Sequence, residues 1–257
     1  MKIFLRKSVL LIVVLLAITS CVSPKKLVYL QNIESQANSE KAISFEPTLQ
    51  PDDLLSIIVS AETPEVTIPF NLPQIQANYD IGNNQNGIKT YLIDSNGNIE
   101  FPVLGTIKLG GLTRTEANAK LVAAVGEYLT KPSVNLRILN YKVSVLGEVL
   151  KPGTFNISSE RLTVLEAISM AGDLTIYGKR NNILIIRDSE GKKTFTRIDL
   201  TKADFINSDF YYLSQNDVVV VEPNKTRINA SAVGPNLSII ISALSVLTTV
   251  IVILTRN

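Results

Sequence analysis

The sequence predicts an α+β fold: two domains with small mixed sheets, behind an export signal and ahead of a single C-terminal transmembrane helix. Three observations lead to it. Between residues 54 and 223, short branched runs bounded by turn residues alternate with only two helical segments. A basic and then apolar N-terminus ends at the chain's one cysteine. Residues 237 to 254 carry no charge.

The N-terminus comes first. Lys2, Arg6 and Lys7 precede an apolar run from Val9 to Ile18, which is too short to span a bilayer well. Ile18-Thr19-Ser20-Cys21 closes it, with small residues placed where a lipoprotein signal peptidase must approach, and the pattern resembles a lipobox. We therefore expect residues 1–20 to be a lipoprotein signal peptide and Cys21 to be the lipidated first residue. Acylating the only cysteine leaves no disulfide, so packing must supply stability. Val22 lacks the aspartate associated with inner-membrane retention in enteric bacteria, which permits outer-membrane delivery.

The whole chain holds 25 basic and 23 acidic residues, and losing three basic residues with the signal leaves 22 against 23. That near-neutral balance, without a long basic run, gives no ground for a nucleic-acid partner. Residues 21–45 are mostly polar and read as a tether. The expected division then runs 46–140 for a first domain, 141–223 for a second, 224–236 for a linker and 237–254 for the transmembrane helix.

Within the first domain, Pro51-Asp52-Asp53 forms a turn before a buried strand at Leu54 to Val59. Residues 62 to 89 are an excursion rich in Pro, Asn and Gly. Thr90 to Ile93 and Asn98 to Val103 then read as a hairpin across Asp94-Ser95-Asn96-Gly97, whose Asn-Gly step favours a tight turn. Leu104-Gly105 and Gly110-Gly111 mark further turns. Thr113 and Glu116 have capping-box spacing, opening a helix with an apolar face of Ala117, Leu121, Ala124, Val125 and Tyr128. Lys131-Pro132 stops it, and Val134 to Leu139 alternates as a strand.

The same signals recur in the second domain. Val145-Leu146-Gly147-Glu148-Val149 leads to Leu162-Thr163-Val164-Leu165-Glu166-Ala167 as Val103-Leu104-Gly105-Thr106-Ile107 leads to Leu112-Thr113 and Glu116-Ala117. Strands at Ile183 to Arg187, Thr194 to Ile198 and Val218 to Val221 complete a small twisted sheet. At the C-terminus, Ser238, Ser242, Ser245 and Thr249 fall on one stripe of the apolar helix. A plain anchor gains nothing from such a stripe, whereas a helix in a ring can turn it towards a water-filled lumen or towards its neighbours.

Enzyme chemistry has little to stand on. With no histidine the commonest general base and metal ligand is missing, and the only thiol is expected to be lipidated. Asp52-Asp53 reads as a turn, and Gly110-Gly111 lacks the lysine of a phosphate loop. No cofactor or metal site is expected.

These residues resemble the polysaccharide export outer-membrane lipoproteins, which carry capsule or exopolysaccharide across the outer membrane. Pro51, Asp53 and Leu54 look like the Pro-Gly-Asp turn opening that family's export domain, with Asp52 in the glycine's place. Asn96-Gly97, Phe101-Pro102, Gly105 and Gly111 look like its central signature. Gly147, Pro152-Gly153 and Gly172 resemble the soluble-ligand-binding β-grasp module that follows. The resemblance implies a polysaccharide export domain and a β-grasp domain. It also implies a homo-oligomeric ring with a pore of C-terminal helices, a polysaccharide substrate, and an inner-membrane co-polymerase, often tied to a tyrosine kinase, as partner. Under it the location is the outer membrane, lipid-anchored and mostly periplasmic, and Ser238, Ser242, Ser245 and Thr249 become pore-lining candidates. A non-transporting scaffold or saccharide-binding lipoprotein would share the fold without the pore.

Overall fold

The computed structural model describes residues 27–36, 45–71, 90–189, 191–232 and 236–254. Cys21 and the signal segment lie outside them, as do most of the excursion and of the stretch read as a tether.

The first domain forms around β1 (Leu54–Ser60), whose branched residues bury Leu55, Ile57 and Val59 on one face. It is the centre of a three-stranded antiparallel sheet, flanked by β2 (Tyr91–Leu92) and β5 (Ser133–Ile138). Helix α1 (Arg114–Gly126) lies against β5 and buries Ala117, Leu121 and Val125. Tyr128 falls beyond the helix and is exposed, tilted against Phe70. The expected hairpin is corrected. Asp94 does hold a tight loop, accepting from the amides of Asn96 and Asn98, but β2 pairs with β1. β3 (Asn98–Phe101) instead pairs onwards with β4 (Gly105–Lys108) across Pro102 to Leu104. The loop is local, whereas the backbone of Tyr91 and Leu92 pairs with Leu55 and Leu54 of β1, and contact with β3 is left to side chains such as the Tyr91 ring stacked on Phe101, 5.3 Å away.

The second domain is a five-stranded mixed sheet in the order β10-β9-β12-β6-β7. Its strands are β6 (Lys142–Gly147), β7 (Gly153–Asn156), β9 (Gly178–Ser189), β10 (Lys192–Ile198) and β12 (Val218–Pro223). Among the described residues the only parallel pair joins β6 and β12 in the middle. β8 (Leu162–Thr163) and β11 (Tyr212–Leu213) form a separate short pair leading into α2 (Val164–Met170). The core gathers Val143, Val145, Ala167, Ile183, Ile185, Val219 and Val221, all fully buried. Both sequence copies contain the capped helix, but their strands are placed differently: β4 starts at Gly105, whereas β6 ends at Gly147.

Both capping boxes form. Thr113 accepts from Glu116 N and Thr163 from Glu166 N, while each glutamate accepts from its threonine's backbone amide at 2.8 and 2.7 Å. Losing such a cap costs about 1 kcal/mol. Thr163→Ala is therefore expected to lower the thermal unfolding midpoint by a few degrees, with Thr113→Ala doing the same through α1.

The tether reading is also revised. Residues 27–36 dock on the second domain, where Leu30 N and Gln31 N donate to the carbonyls of Leu200 and Thr201. Tyr29 donates to Asp173 and lies beneath the Arg180 guanidinium.

After α3 (Lys225–Ala232) comes α4 (Asn236–Leu254). Among the described residues no helix is long and apolar enough to cross a membrane, so the single C-terminal transmembrane helix is corrected. The segment is helical, but its 19 residues reach only about 28 Å at the usual rise, and hydroxyls interrupt its apolar surface. Those hydroxyls turn back on their own helix: Ser245 Oγ donates to Ser242 O, and Thr248 and Thr249 both donate to Ser245 O, at 2.7 to 2.8 Å. Of the four residues read as pore-lining candidates, Ser245 and Thr249 thus donate to carbonyls of their own helix, Ser242 supplies one of those carbonyls, and Ser238 lies in the first turn of α4.

Candidate functional site at the domain junction

The two domains meet where Pro51-Asp52-Asp53 turns into β1. Asp52 takes a left-handed conformation, φ 69°, which explains why a glycine would suit this position. Its amide donates to Ile93 O, and its carbonyl accepts from Asn140 Nδ2 at 2.8 Å. Asn140 Oδ1 in turn accepts from Leu54 N at 2.9 Å. From the other domain, Gln215 Nε2 donates to Asn140 O and Gln215 Oε1 accepts from Lys142 N, both at 2.7 Å. Tyr141, buried beside them, donates its hydroxyl to Leu213 O. Two amide side chains thus clip the export-type turn to the second sheet.

Asp53 is 1% exposed. Its Oδ2 accepts from Gln50 N at 2.8 Å, while Oδ1 has no hydrogen-bond partner among the described residues. Burial pushes its carboxyl up to about 6, the charge of Asp52 adds to this, and the Gln50 amide opposes it. Because the neutral acid is favoured in the fold, the contribution of Asp53 to stability is greatest below about pH 4 and falls as the pH rises towards 6. Between pH 7 and 5 that contribution should grow by about 1 kcal/mol, and the difference in pH dependence between the native chain and Asp53→Asn in urea titrations measures it.

The remaining motif residues are structural and spread through both domains. Gly97 and Gly110 cross so closely that a Cβ on Gly110 would sit 2.6 Å from Gly97 Cα, and Leu109 N and Gly110 N both donate to Gly97 O. Phe101 is buried against Tyr91, Pro102 opens the β3–β4 turn, and Gly105 starts β4. Gly111 N donates to Leu49 O, which ties residues 48–49 to the start of α1. Gly147 ends β6, Pro152 and Gly153 lead into β7, and Gly172 follows α2. The structure does not gather these residues into one pocket. Together they shape the two domains.

A cleft that the motifs do not mark lies along the same junction. It has a volume of about 630 Å³ and is lined by Arg114, Arg137 and Arg161, with Phe45, Ser158 and Ser159. Arg114 bridges the domains, 3.2 Å from Glu160 and 3.9 Å from Glu46. Glu46 also caps α1, accepting from Thr115 N and Oγ1. Phe45 stacks on Tyr212 at 5.1 Å, and Arg161 lies over the Tyr212 ring, 5.6 Å from its centre. Sequence reading missed this site, because its three arginines come from a helix start, a strand and a loop that share no motif. Among the described residues no group of acidic side chains could hold a metal ion.

Comparison with known proteins matches this architecture in order. Residues 42–139 match the model described as polysaccharide biosynthesis/export protein, and residues 141–221 match the SLBB domain. The EPS I polysaccharide export outer membrane protein EpsA of Ralstonia solanacearum is 30% identical over 193 residues, covering 72% of this chain and 50% of the relative. Its counterpart in Ralstonia nicotianae is 28% identical over the same shares. The chain spans about half the length of the curated relatives it matches. These are export proteins rather than enzymes, in keeping with a site of turns, clips and a cationic cleft, and the chain belongs to the polysaccharide export protein family.

Proposed function

We propose that the chain is a subunit of an outer-membrane polysaccharide exporter that passes capsular or exopolysaccharide to the cell surface. The observation carrying this reading is the succession of an export domain and an SLBB domain, matched back to back and clipped together through Asn140 and Gln215. The relatives' names support both the cargo and the membrane. The subunit is anchored by a lipid on Cys21 and works as a homo-oligomeric ring fed by an inner-membrane co-polymerase. The helical pore is no part of the reading, since no described helix crosses a membrane.

Deleting the coding sequence should abolish extracellular polysaccharide, and a plasmid copy should restore it. Unchanged surface polymer would favour the non-transporting saccharide-binding scaffold. Cys21→Ser should move the chain from the membrane fraction to the soluble periplasmic fraction, read by immunoblot. Retention in the membrane would show that another element anchors it.

A further inference from the structure

The junction cleft carries more positive charge than its own structure consumes. Arg114 is engaged by Glu46 and Glu160, but Arg137 and Arg161 have no carboxylate partner among the described residues. Arg137 projects from the exposed face of β5, and Arg161 stands at the end of the loop after β7. The Glu160 side chain is 73% exposed, so its pair with Arg114 is weak and exchangeable. Beside these cations, Phe45, whose ring stacks on Tyr212, lines the same space with Ser158 and with Ser159, whose hydroxyl donates to Arg161 O. Guanidinium forks match carboxylates in a bidentate way, aromatic faces take the apolar side of a pyranose, and hydroxyls exchange bonds with sugar hydroxyls. The volume falls within the roughly 300–1,000 Å³ typical of small-ligand sites, enough for a short oligosaccharide segment.

We infer that this cleft is a binding site for carboxylate-bearing sugar residues, so that the exported polymer is an acidic polysaccharide read at the domain junction. The inference rests on the export reading and adds the chemical class of the cargo. Arg137 and Arg161 supply cations without a carboxylate partner among the described residues, Arg114 exchanges Glu160 for a ligand carboxylate, and Phe45, backed by Tyr212, forms the platform. Exposure of the cationic groups keeps the binding weak and salt-sensitive, which suits a polymer that must move on.

The test is calorimetric titration of the detergent-extracted full chain with trigalacturonate and with the neutral maltotriose. Trigalacturonate is expected to bind at least tenfold more tightly, and to weaken several-fold between 50 and 300 mM salt on the order set by screening. The double variant Arg137→Gln/Arg161→Gln should lose at least tenfold for trigalacturonate only, while Arg137→Lys/Arg161→Lys retains most of the binding and guards against a folding artefact. Equal binding of the two sugars, or undiminished binding in the glutamine variant, would overturn the inference. So would a change in oligomer size in that variant without a change in sugar binding, since the face would then be a contact between copies. If deletion abolishes surface polymer but the titration shows no preference, this inference alone fails. If surface polymer survives deletion, the export reading fails first.

Discussion

Arg187→Ala is expected to cost about 3–5 kcal/mol, the range for stranding a buried charge. Asp217 is fully buried at the start of β12, and Arg187 reaches it from β9 with three contacts: Nε to each carboxylate oxygen at 3.0 and 3.1 Å, and Nη2 to Oδ2 at 2.7 Å. The same guanidinium donates to Tyr212 O at 2.9 Å and lies over the Phe210 ring. It therefore holds the loop carrying β11 against the central sheet. Burial raises the Asp217 carboxyl, and the Arg187 charge and hydrogen bonds oppose that rise. Without Arg187 the acid takes up a proton more easily, so the variant's deficit should shrink as the pH falls. Urea unfolding at pH 7.5 and 5 measures both effects, and an equal midpoint for variant and native chain would refute the role.

Gly147→Ala is expected to destabilise by about 3 kcal/mol or more, combining overpacking with a left-handed backbone. Gly147 has φ 93°, and a Cβ there would sit 2.1 Å from Val221 O and 3.0 Å from its carbonyl carbon. Neither atom can give way, because Val221 O already accepts from Glu148 N and its strand forms the parallel β6–β12 pair. The variant should separate the central strands, lowering the unfolding midpoint by roughly ten degrees for a domain of this size. Gly153→Ala, with open space at its Cβ, is the control expected to be near neutral.

The parts legible in the sequence were those decided locally. Thr113 with Glu116 and Thr163 with Glu166 announce helix starts because the two groups that satisfy each other are three residues apart. Leu54 to Val59 reads as a strand because its branched run is short and bounded. What failed depended on partners distant in sequence. Asn96-Gly97 marks a turn but does not say that Tyr91 pairs with Leu55 rather than with the strand after the turn. Tyr29 and Leu30 stood out as apolar residues in a polar stretch, and their partners, Asp173 and Leu200, lie well over a hundred residues away. The stretch from residue 237 onward was read from its length, its lack of charge and its hydroxyl stripe, none of which shows that Ser245 and Thr249 bond carbonyls of their own helix. The cleft was invisible for the same reason as the domain clip: Asn140 and Gln215, like the three arginines, gain meaning only once the domains meet.

Export, rather than synthesis, is the central claim, and rapid depletion separates the two. Radiolabelled polymer would be measured in periplasmic and extracellular fractions within one generation of switching off expression. Transfer of the label from the extracellular to the periplasmic fraction, with the total held, is the expected result. Loss of label from both fractions together would assign the chain to synthesis, and undisturbed extracellular polymer would contradict a role in carrying it out.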